Sequence, residues 1–164
     1  MRGKRGVELS FGVIFSIIVI IAIIAVAFYM ISYFLKLKNC TEIGMFGRDF
    51  QDKINYAWNA DSVSDVFTGT LPSSVEKVCV GNLTNVPNTP AYSWLDRFEG
   101  SGANLFFYPV PTSCGIRSGK LEHAQFSRFD CAFTHDGKAT FKLVKGSYDD
   151  SVFVCAGNAS SCGT

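Results

Sequence analysis

The feature that most limits what this chain can fold into is a long stretch without charge. From Leu9 to Leu35 the sequence has 27 residues and not one Asp, Glu, Lys, Arg or His. As an α-helix this stretch would be roughly 40 Å long, enough to cross a bilayer with some tilt. A buried helix of a soluble domain would be shorter, and a secretory signal would have an apolar core of about 7 to 15 residues. The stretch therefore predicts one membrane-spanning helix.

The charges on either side of the span predict its orientation, because basic residues collect on the cytoplasmic side of membrane helices. More of them precede the span than follow it, and the terminal amine adds to that excess. They are Arg2, Lys4 and Arg5 before the span, and Lys36 and Lys38 after it. We expect a single-pass protein with its N-terminus inside the cell and its C-terminal part outside.

The cysteines agree with an exterior location, because an even number in a short region favours disulfides in an oxidising compartment. All six follow the span: Cys40, Cys79, Cys114, Cys131, Cys155 and Cys162. Their connectivity is not fixed by the sequence. A zinc site is the alternative, but the nearest candidates, Cys131 with His135 and Cys155 with Cys162, do not form a set with zinc-ligand spacing.

Possible glycosylation sites also lie after the span, where N-x-[ST] sequences occur at Asn39, Asn82 and Asn158. Beyond Lys38 the chain has 10 basic and 13 acidic residues. That balance provides no basic surface for nucleic acid, so nucleic acid is not an expected partner.

Helical periodicity continues after the span, in the segment TEIGMFGRDFQDKINYAWNA. Its apolar residues recur at intervals of three and four, which predicts an amphipathic helix. They are Ile43, Phe46, Phe50, Ile54, Ala57 and Trp58. This helix could continue the span as one helix from about Val7 to about Trp58, or two helices could meet at a short joint. Gly44 and Gly47 predict a bend or a close contact.

After residue 60 the pattern changes to short segments rich in Val, Phe and Tyr, separated by turns. The segments VEKVCVG, ANLFFYPV, FDCAFT, KATFKLV and SVFVCAG predict an antiparallel meander. Its last three strands would form direct hairpins, with Asp136-Gly137 as the strongest turn. SWLDRFEG predicts a helical turn. We expect the amphipathic helix to lie across this sheet and complete its core.

These elements predict an α+β protein: a long N-terminal transmembrane and amphipathic helix, followed by a small antiparallel β-sheet head with disulfides. The chain then divides into a basic cytoplasmic leader (1–8), a transmembrane helix (9–35), an amphipathic helix (36–59) and a disulfide-stapled, β-rich extracellular head (60–164).

Catalytic chemistry finds little support in the sequence. A nucleophile with a base would need Ser or Cys near one of two histidines, yet His135 lies in a predicted hairpin turn and the cysteines are expected to be oxidised. His123 is better interpreted as a surface or packing residue. No phosphate-binding loop or metal-binding helix motif is present, so we expect neither an enzyme nor a cofactor.

The order of a short basic leader, a glycine, a carboxylate and a long apolar helix resembles the type IV pilin-like proteins, and RGKRGVEL resembles most closely the archaeal members. The resemblance is confined to the leader and the helix. It implies a prepilin peptidase that cuts after a glycine, here Gly3 or Gly6, and a helix that packs into a filament core. Pilins commonly have Glu as the fifth mature residue. A cut after Gly3 makes Glu8 fifth, whereas a cut after Gly6 makes it second.

The resemblance also implies a role for Glu8, whose carboxylate would pair with the terminal amine of a neighbouring subunit and set the stagger between helices. Local pairing with Arg2 or Arg5 is the alternative. Gly12 and Ser16, four residues apart, would give a stripe of small residues for close helix contact.

Two function classes follow. The first is a structural subunit or minor component of a pilus-like surface filament, with membrane lipid and identical subunits as partners. The second is a single-pass, membrane-anchored surface protein that does not assemble, such as an adhesin or an envelope binding module.

Overall fold

The computed structural model describes residues 11–111, 115–157 and 162. The chain forms two compact units, Met1–Leu37 and Lys38–Thr164. One α-helix, α1 (Phe11–Trp58), supplies the described part of the first unit and the beginning of the second. The remaining elements all belong to the second unit, which we call the head.

Helix α1 continues through both of its central glycines, so the alternative of two helices with a joint is wrong. A Cβ added at Gly44 would lie 3.2 Å from the Cδ1 atom of Ile116, whereas nothing lies within 4 Å of a Cβ at Gly47. The predicted close contact is therefore confirmed at Gly44 and not at Gly47.

The described part of the head contains short strands and two 3-10 helices, Leu83–Asn85 and Pro90–Phe98. The second of these contains Ser93 to Phe98 of the predicted helical turn and ends before its last two residues. The described strands are β1 (Val63–Thr70), β2 (Lys77–Val80), β3 (Leu105–Tyr108), β4 (Ser118–Gly119), β5 (Ala124–Gln125), β6 (Asp130–Phe133), β7 (Lys138–Lys145) and β8 (Val152–Ala156).

The strands form two four-stranded sheets with the orders β1-β7-β8-β5 and β4-β3-β2-β6. Every pair is antiparallel except β5 with β8, which is parallel. The predicted α+β class, a long helix followed by an antiparallel-rich head with disulfides, is confirmed. The single meander is wrong, because β6 pairs with β2 in one sheet while β7 pairs with β1 and β8 in the other.

The turn between β6 and β7 still forms where the sequence predicts it. Asp136 and Gly137 have φ angles of 50° and 68°, as a two-residue hairpin turn requires, and His135 bridges Lys138 across it. The hairpin extends no further, since the two strands diverge into different sheets beyond this bridge.

The main core of the head lies between one face of α1 and the inner faces of the sheets. Helical spacing gives the buried stripe Ile43, Phe46, Phe50, Ile54 and Ala57 on α1. Period-two spacing gives the matching inward residues of β7, which are Ala139, Phe141 and Leu143. The prediction that the amphipathic segment completes the core of the sheet is therefore confirmed. Gln51 fixes the same segment to a loop, where it accepts the N–H of Glu122 at 2.8 Å.

A second, smaller core surrounds a disulfide. Cys79 of β2 is bonded to Cys131 of β6, and their neighbours Leu95, Phe98 and Phe106 are buried. A second disulfide joins Cys155 to Cys162, and Cys40 is also disulfide-bonded. Disulfide formation is therefore confirmed at these five cysteines; the sixth, Cys114, lies outside the described residues.

Candidate functional site

The first unit presents an apolar surface that the structure leaves uncovered. Every described side chain from Phe11 to Leu37 is exposed. The best 18-residue window of α1 has a mean hydropathy of 3.2, and none of it is buried. By length and composition this segment, residues 11–37, is a candidate membrane span. We call it the apolar segment.

Ser16 brings a polar hydroxyl into the apolar segment, and the backbone of the same helix provides its hydrogen-bond partner. The hydroxyl of Ser16 donates a hydrogen bond to the carbonyl oxygen of Gly12 at 2.8 Å. A hydroxyl without a partner in hydrocarbon would cost several kcal/mol, on the order of the 4 to 8 kcal/mol of transfer to cyclohexane. With this bond in place, the surface at Gly12 and Ser16 suits contact with lipid or with another apolar helix.

Two tyrosines near the end of the apolar segment were not part of the sequence prediction. Tyr29 and Tyr33 are one helical turn apart on the same side of α1, and their side chains are 71% and 56% exposed. Tyrosine prefers the interface between hydrocarbon and water. An α-helix from Leu9, where the uncharged run of the sequence begins, to these tyrosines would be about 30 to 36 Å long, close to a hydrocarbon core of about 30 Å. The signal was available in the sequence as a four-residue spacing next to Lys36.

The leader residues Gly3, Gly6 and Glu8 lie outside the described residues. The structure therefore brings together Gly12 and Ser16 of the predicted assembly surface, and the proposed partner of Glu8 stays a prediction.

The head end of α1 receives its capping cation from another element. The last turn of the helix has no basic residue, so its carbonyl groups and its negative dipole end need an outside partner. The ammonium of Lys145, on β7, donates to the carbonyl oxygens of Trp58 at 2.6 Å and Ala60 at 2.8 Å. The indole N–H of Trp58 donates to the carbonyl of Asp150 at 3.1 Å. These bonds fix the end of α1 within the head.

The two histidines have different surroundings in the head. The ring of His123 stacks on Trp58 with 3.8 Å between centroids, as the packing interpretation predicts. His135 is 93% exposed in the turn after β6 and contacts the carboxylate of Asp136. The cysteines of the zinc alternative are disulfide-bonded, which removes them as ligands. Within residues 11–111, 115–157 and 162, no group of three or more His, Cys, Asp or Glu side chains could hold a metal ion.

The sequons differ in their local structure. Asn82 is exposed, with extended φ and ψ angles of −84° and 134°, and its side chain makes no capping bond to the 3-10 helix that follows. Asn39 is half-buried inside α1 and precedes the disulfide-bonded Cys40. Asn158 lies outside the described residues. Among the described sequons, Asn82 has the accessible, non-helical setting.

The comparisons with known proteins add no family to these observations. Neither a protein-family model, nor a curated protein, nor a solved structure matches the chain.

Proposed function

We propose that this chain is a structural subunit or minor component of a type IV pilus-like surface filament, assembled through its apolar segment. The observation that carries the proposal is a helical surface that has no charged residue from Phe11 to Leu35, is exposed throughout, and whose Ser16 hydroxyl is satisfied within the helix. Such a surface is stable only in an apolar surrounding. Lipid would provide it before assembly, and the same segments of identical subunits would provide it in the filament. The role is not enzymatic.

In this proposal the head lies outside the cell. Its disulfides suit an oxidising compartment, and Asn82 offers an exposed acceptor for an N-linked glycan. A prepilin peptidase would release the subunit from its cytoplasmic leader after Gly3 or Gly6. Glu8 would then pair with the terminal amine of a neighbour.

The second candidate is a single-pass surface protein that stays in the membrane. It is favoured by the exposed Tyr29 and Tyr33 near the end of the apolar segment, since interfacial tyrosines suit a permanent anchor. Lipid alone then provides the apolar surroundings that the apolar segment needs. The two candidates differ in whether the leader is cut and whether subunits leave the membrane.

Processing is tested by the N-terminal mass of the native protein. A mature chain that starts at Lys4 or Val7 supports the filament, and an intact Met1 end together with protein found only in membranes supports the anchor. Protease added to intact cells tests the exterior head. Full protection of the head on accessible cells contradicts that orientation.

Assembly is tested by replacing the small residues Gly12 and Ser16 of the apolar segment with larger ones. Gly12→Leu and Ser16→Leu raise hydropathy, so insertion should persist, while added bulk should block close helix contact and lower the yield of sheared filament. Ala25→Leu is the matched control, because nine residues make two and a half helical turns and place Ala25 opposite Ser16. Equal filament yield from Ser16→Leu and Ala25→Leu would remove this surface from the proposal.

The ionic pairing at Glu8 has its own test. Glu8→Gln preserves size and removes the charge, so it should lower the sheared fraction and leave head folding and insertion intact. Glu99→Gln, on the exposed surface of the head, is the control. If Glu8 pairs only locally, its replacement should be nearly silent, because exposed pairs contribute about 0 to 1 kcal/mol. Normal filament from Glu8→Gln excludes the assembly role of this acid.

A further inference from the structure

The outer strands of the two sheets differ in length. A sheet edge exposes backbone N–H and C=O groups that can pair with a strand of another molecule, and short edge strands limit this pairing. Among the described strands, β5 and β4 each end a sheet and are two residues long. At the opposite ends lie β1, with eight residues, and β6, with four. Those two edges need another form of protection.

At the edge of β1, the side chain of an aspartate accepts a hydrogen bond from the backbone N–H of the next residue. The Oδ1 atom of Asp65 accepts the N–H of Val66 at 2.7 Å. Its Oδ2 atom lies 2.6 Å from the ammonium of Lys53 on α1. The hydrogen bond from Lys53, and after it that from Val66, lowers the pKa of the Asp65 carboxyl, because both bonds favour its charged form. The Val66 N–H is therefore not available to another strand.

The edge of β6 has the same arrangement. The Oδ1 atom of Asp130 accepts the N–H of Cys131 at 3.0 Å, and its Oδ2 atom lies 3.4 Å from the Nη2 atom of Arg128. Cys131 and Cys79 have Cα atoms only 4.0 Å apart, as in a non-hydrogen-bonded antiparallel pair. The Cys131 N–H therefore points away from β2. On that side lies an open cleft of about 530 Å³, lined by Cys131 and Phe133 and, from the other sheet, by Thr68, Thr140 and Ala156. Phe133 is 76% exposed.

We infer that Asp65 and Asp130 are edge guards, which keep β1 and β6 from pairing with the outer strands of a second copy of this chain. In each sheet an aspartate bonds the N–H of the following residue with one oxygen and approaches a cation with the other. The second copy is the relevant partner because β1 is long and regular: eight residues pair in register with β7, and Val66, Thr68 and Thr70 face outward with side chains that favour strands. The inference is independent of whether the chain forms filaments.

The test compares the oligomeric state of the full chain in detergent micelles, by sedimentation velocity over a concentration series. Asp65→Ala and Asp130→Ala each free one edge N–H, and a symmetric pair of copies gains two such bonds. Association through the head should therefore strengthen roughly tenfold or more relative to wild type. Hydrogen exchange should show new protection of the Val66 or Cys131 amide that rises with protein concentration.

The matched controls are Asp65→Asn and Asp130→Asn, whose side-chain oxygens still accept the N–H, and Lys53→Met, which leaves the Asp65 bond to Val66 in place. All three should match wild type. The inference is overturned if both alanine variants keep the wild-type mass while their disulfides and cooperative unfolding are intact. It is equally overturned if the asparagine variants associate as strongly as the alanine variants. Should Asp65→Ala fail to fold, Asp130→Ala tests the same claim on the other sheet.

Discussion

Gly69, on β1, lies in the core of the head at a position where the structure leaves no room for a methyl group. A Cβ at this position would lie 2.4 Å from Cδ2 and 2.5 Å from Cε2 of Phe46, and 2.9 Å from Cζ of Phe67. The ring of Phe46 cannot easily move, because it makes edge contacts with Phe50, Phe67, Phe107 and Phe141. We therefore predict that Gly69→Ala destabilises the head.

The magnitude follows from two opposing effects. Overpacking a rigid core costs about 1 to 3 kcal/mol, and a contact this short belongs at the upper end. Replacing glycine also lowers the entropy of the unfolded chain, which offsets about 0.4 to 1 kcal/mol. The net loss in the free energy of unfolding should be about 1 to 2.5 kcal/mol, or a fall in Tm of roughly 3 to 10 °C for a head of this size.

The assay is thermal and denaturant unfolding of the oxidised chain in detergent, followed by near-ultraviolet circular dichroism of the core aromatic residues. Gly47→Ala is the matched control, since nothing lies within 4 Å of its Cβ and alanine favours helix by about 0.8 to 1 kcal/mol. It should raise stability. Phe46→Leu in the Gly69→Ala background should recover part of the loss, as a double-mutant cycle measures. Wild-type stability of Gly69→Ala, or equal losses at both glycines, refutes the reasoning.

Three further predictions concern the head. Replacing Cys79 and Cys131 together by alanine should lower the free energy of unfolding by about 2 to 5 kcal/mol, and mass shifts on alkylation of native, unreduced protein should show both wild-type thiols blocked. Lys145→Met removes the cation that caps α1 and should cost about 1 to 2 kcal/mol in chemical unfolding, whereas Lys142→Met on the same strand should cost less than half of that. Hydrogen bonding from Lys53 holds the pKa of Asp65 below its ordinary value of 3.8, so the charged carboxylate stabilises the folded head fully above about pH 4, and this stabilisation is lost as the pH falls through the lowered pKa. The free energy of unfolding of Asp65→Asn, measured between pH 2 and 6, should lack that part of the acid dependence. An acid dependence equal to that of wild type contradicts the assignment.

Helices were predictable from this sequence where the pattern is dense. Five apolar residues from Ile43 to Ala57 recur at helical spacing, and all five are buried in the core. Strand β1 is not predicted by the sequence, because two of its four inward positions are Asp65 and Gly69. The other two, Val63 and Phe67, are too few to show the alternation of apolar and polar residues that marks a strand. At two residues each, β4 and β5 are too short for any period to appear.

Sheet membership could not be read from the sequence for a different reason. The turn at Asp136-Gly137 predicts a hairpin, and locally one forms. Whether β6 stays with β7 depends on pairing with β2, which lies about 50 residues earlier and is joined to β6 through Cys79 and Cys131. Such non-local pairings leave no local signal. The same holds for Lys145 as the cap of α1 and for the edge aspartates, whose roles depend on which strand ends a sheet.

The two parts of α1 follow different sequence rules, and this separation decides what the assembly experiments can show. Among the described residues, the buried hydrophobic core begins at Ile43 and contains nothing from the apolar segment. Substitutions at Gly12, Ser16 or Ala25 therefore remove no contact from the core of the head and should leave its free energy of unfolding within about 0.5 kcal/mol of wild type. A loss of filament with a normally folded head then reports on the surface of the segment alone. If Ser16→Leu instead lowers head stability as much as Gly69→Ala does, the energetic independence of the segment is wrong, and the filament yields of these variants would have to be interpreted as effects of misfolding.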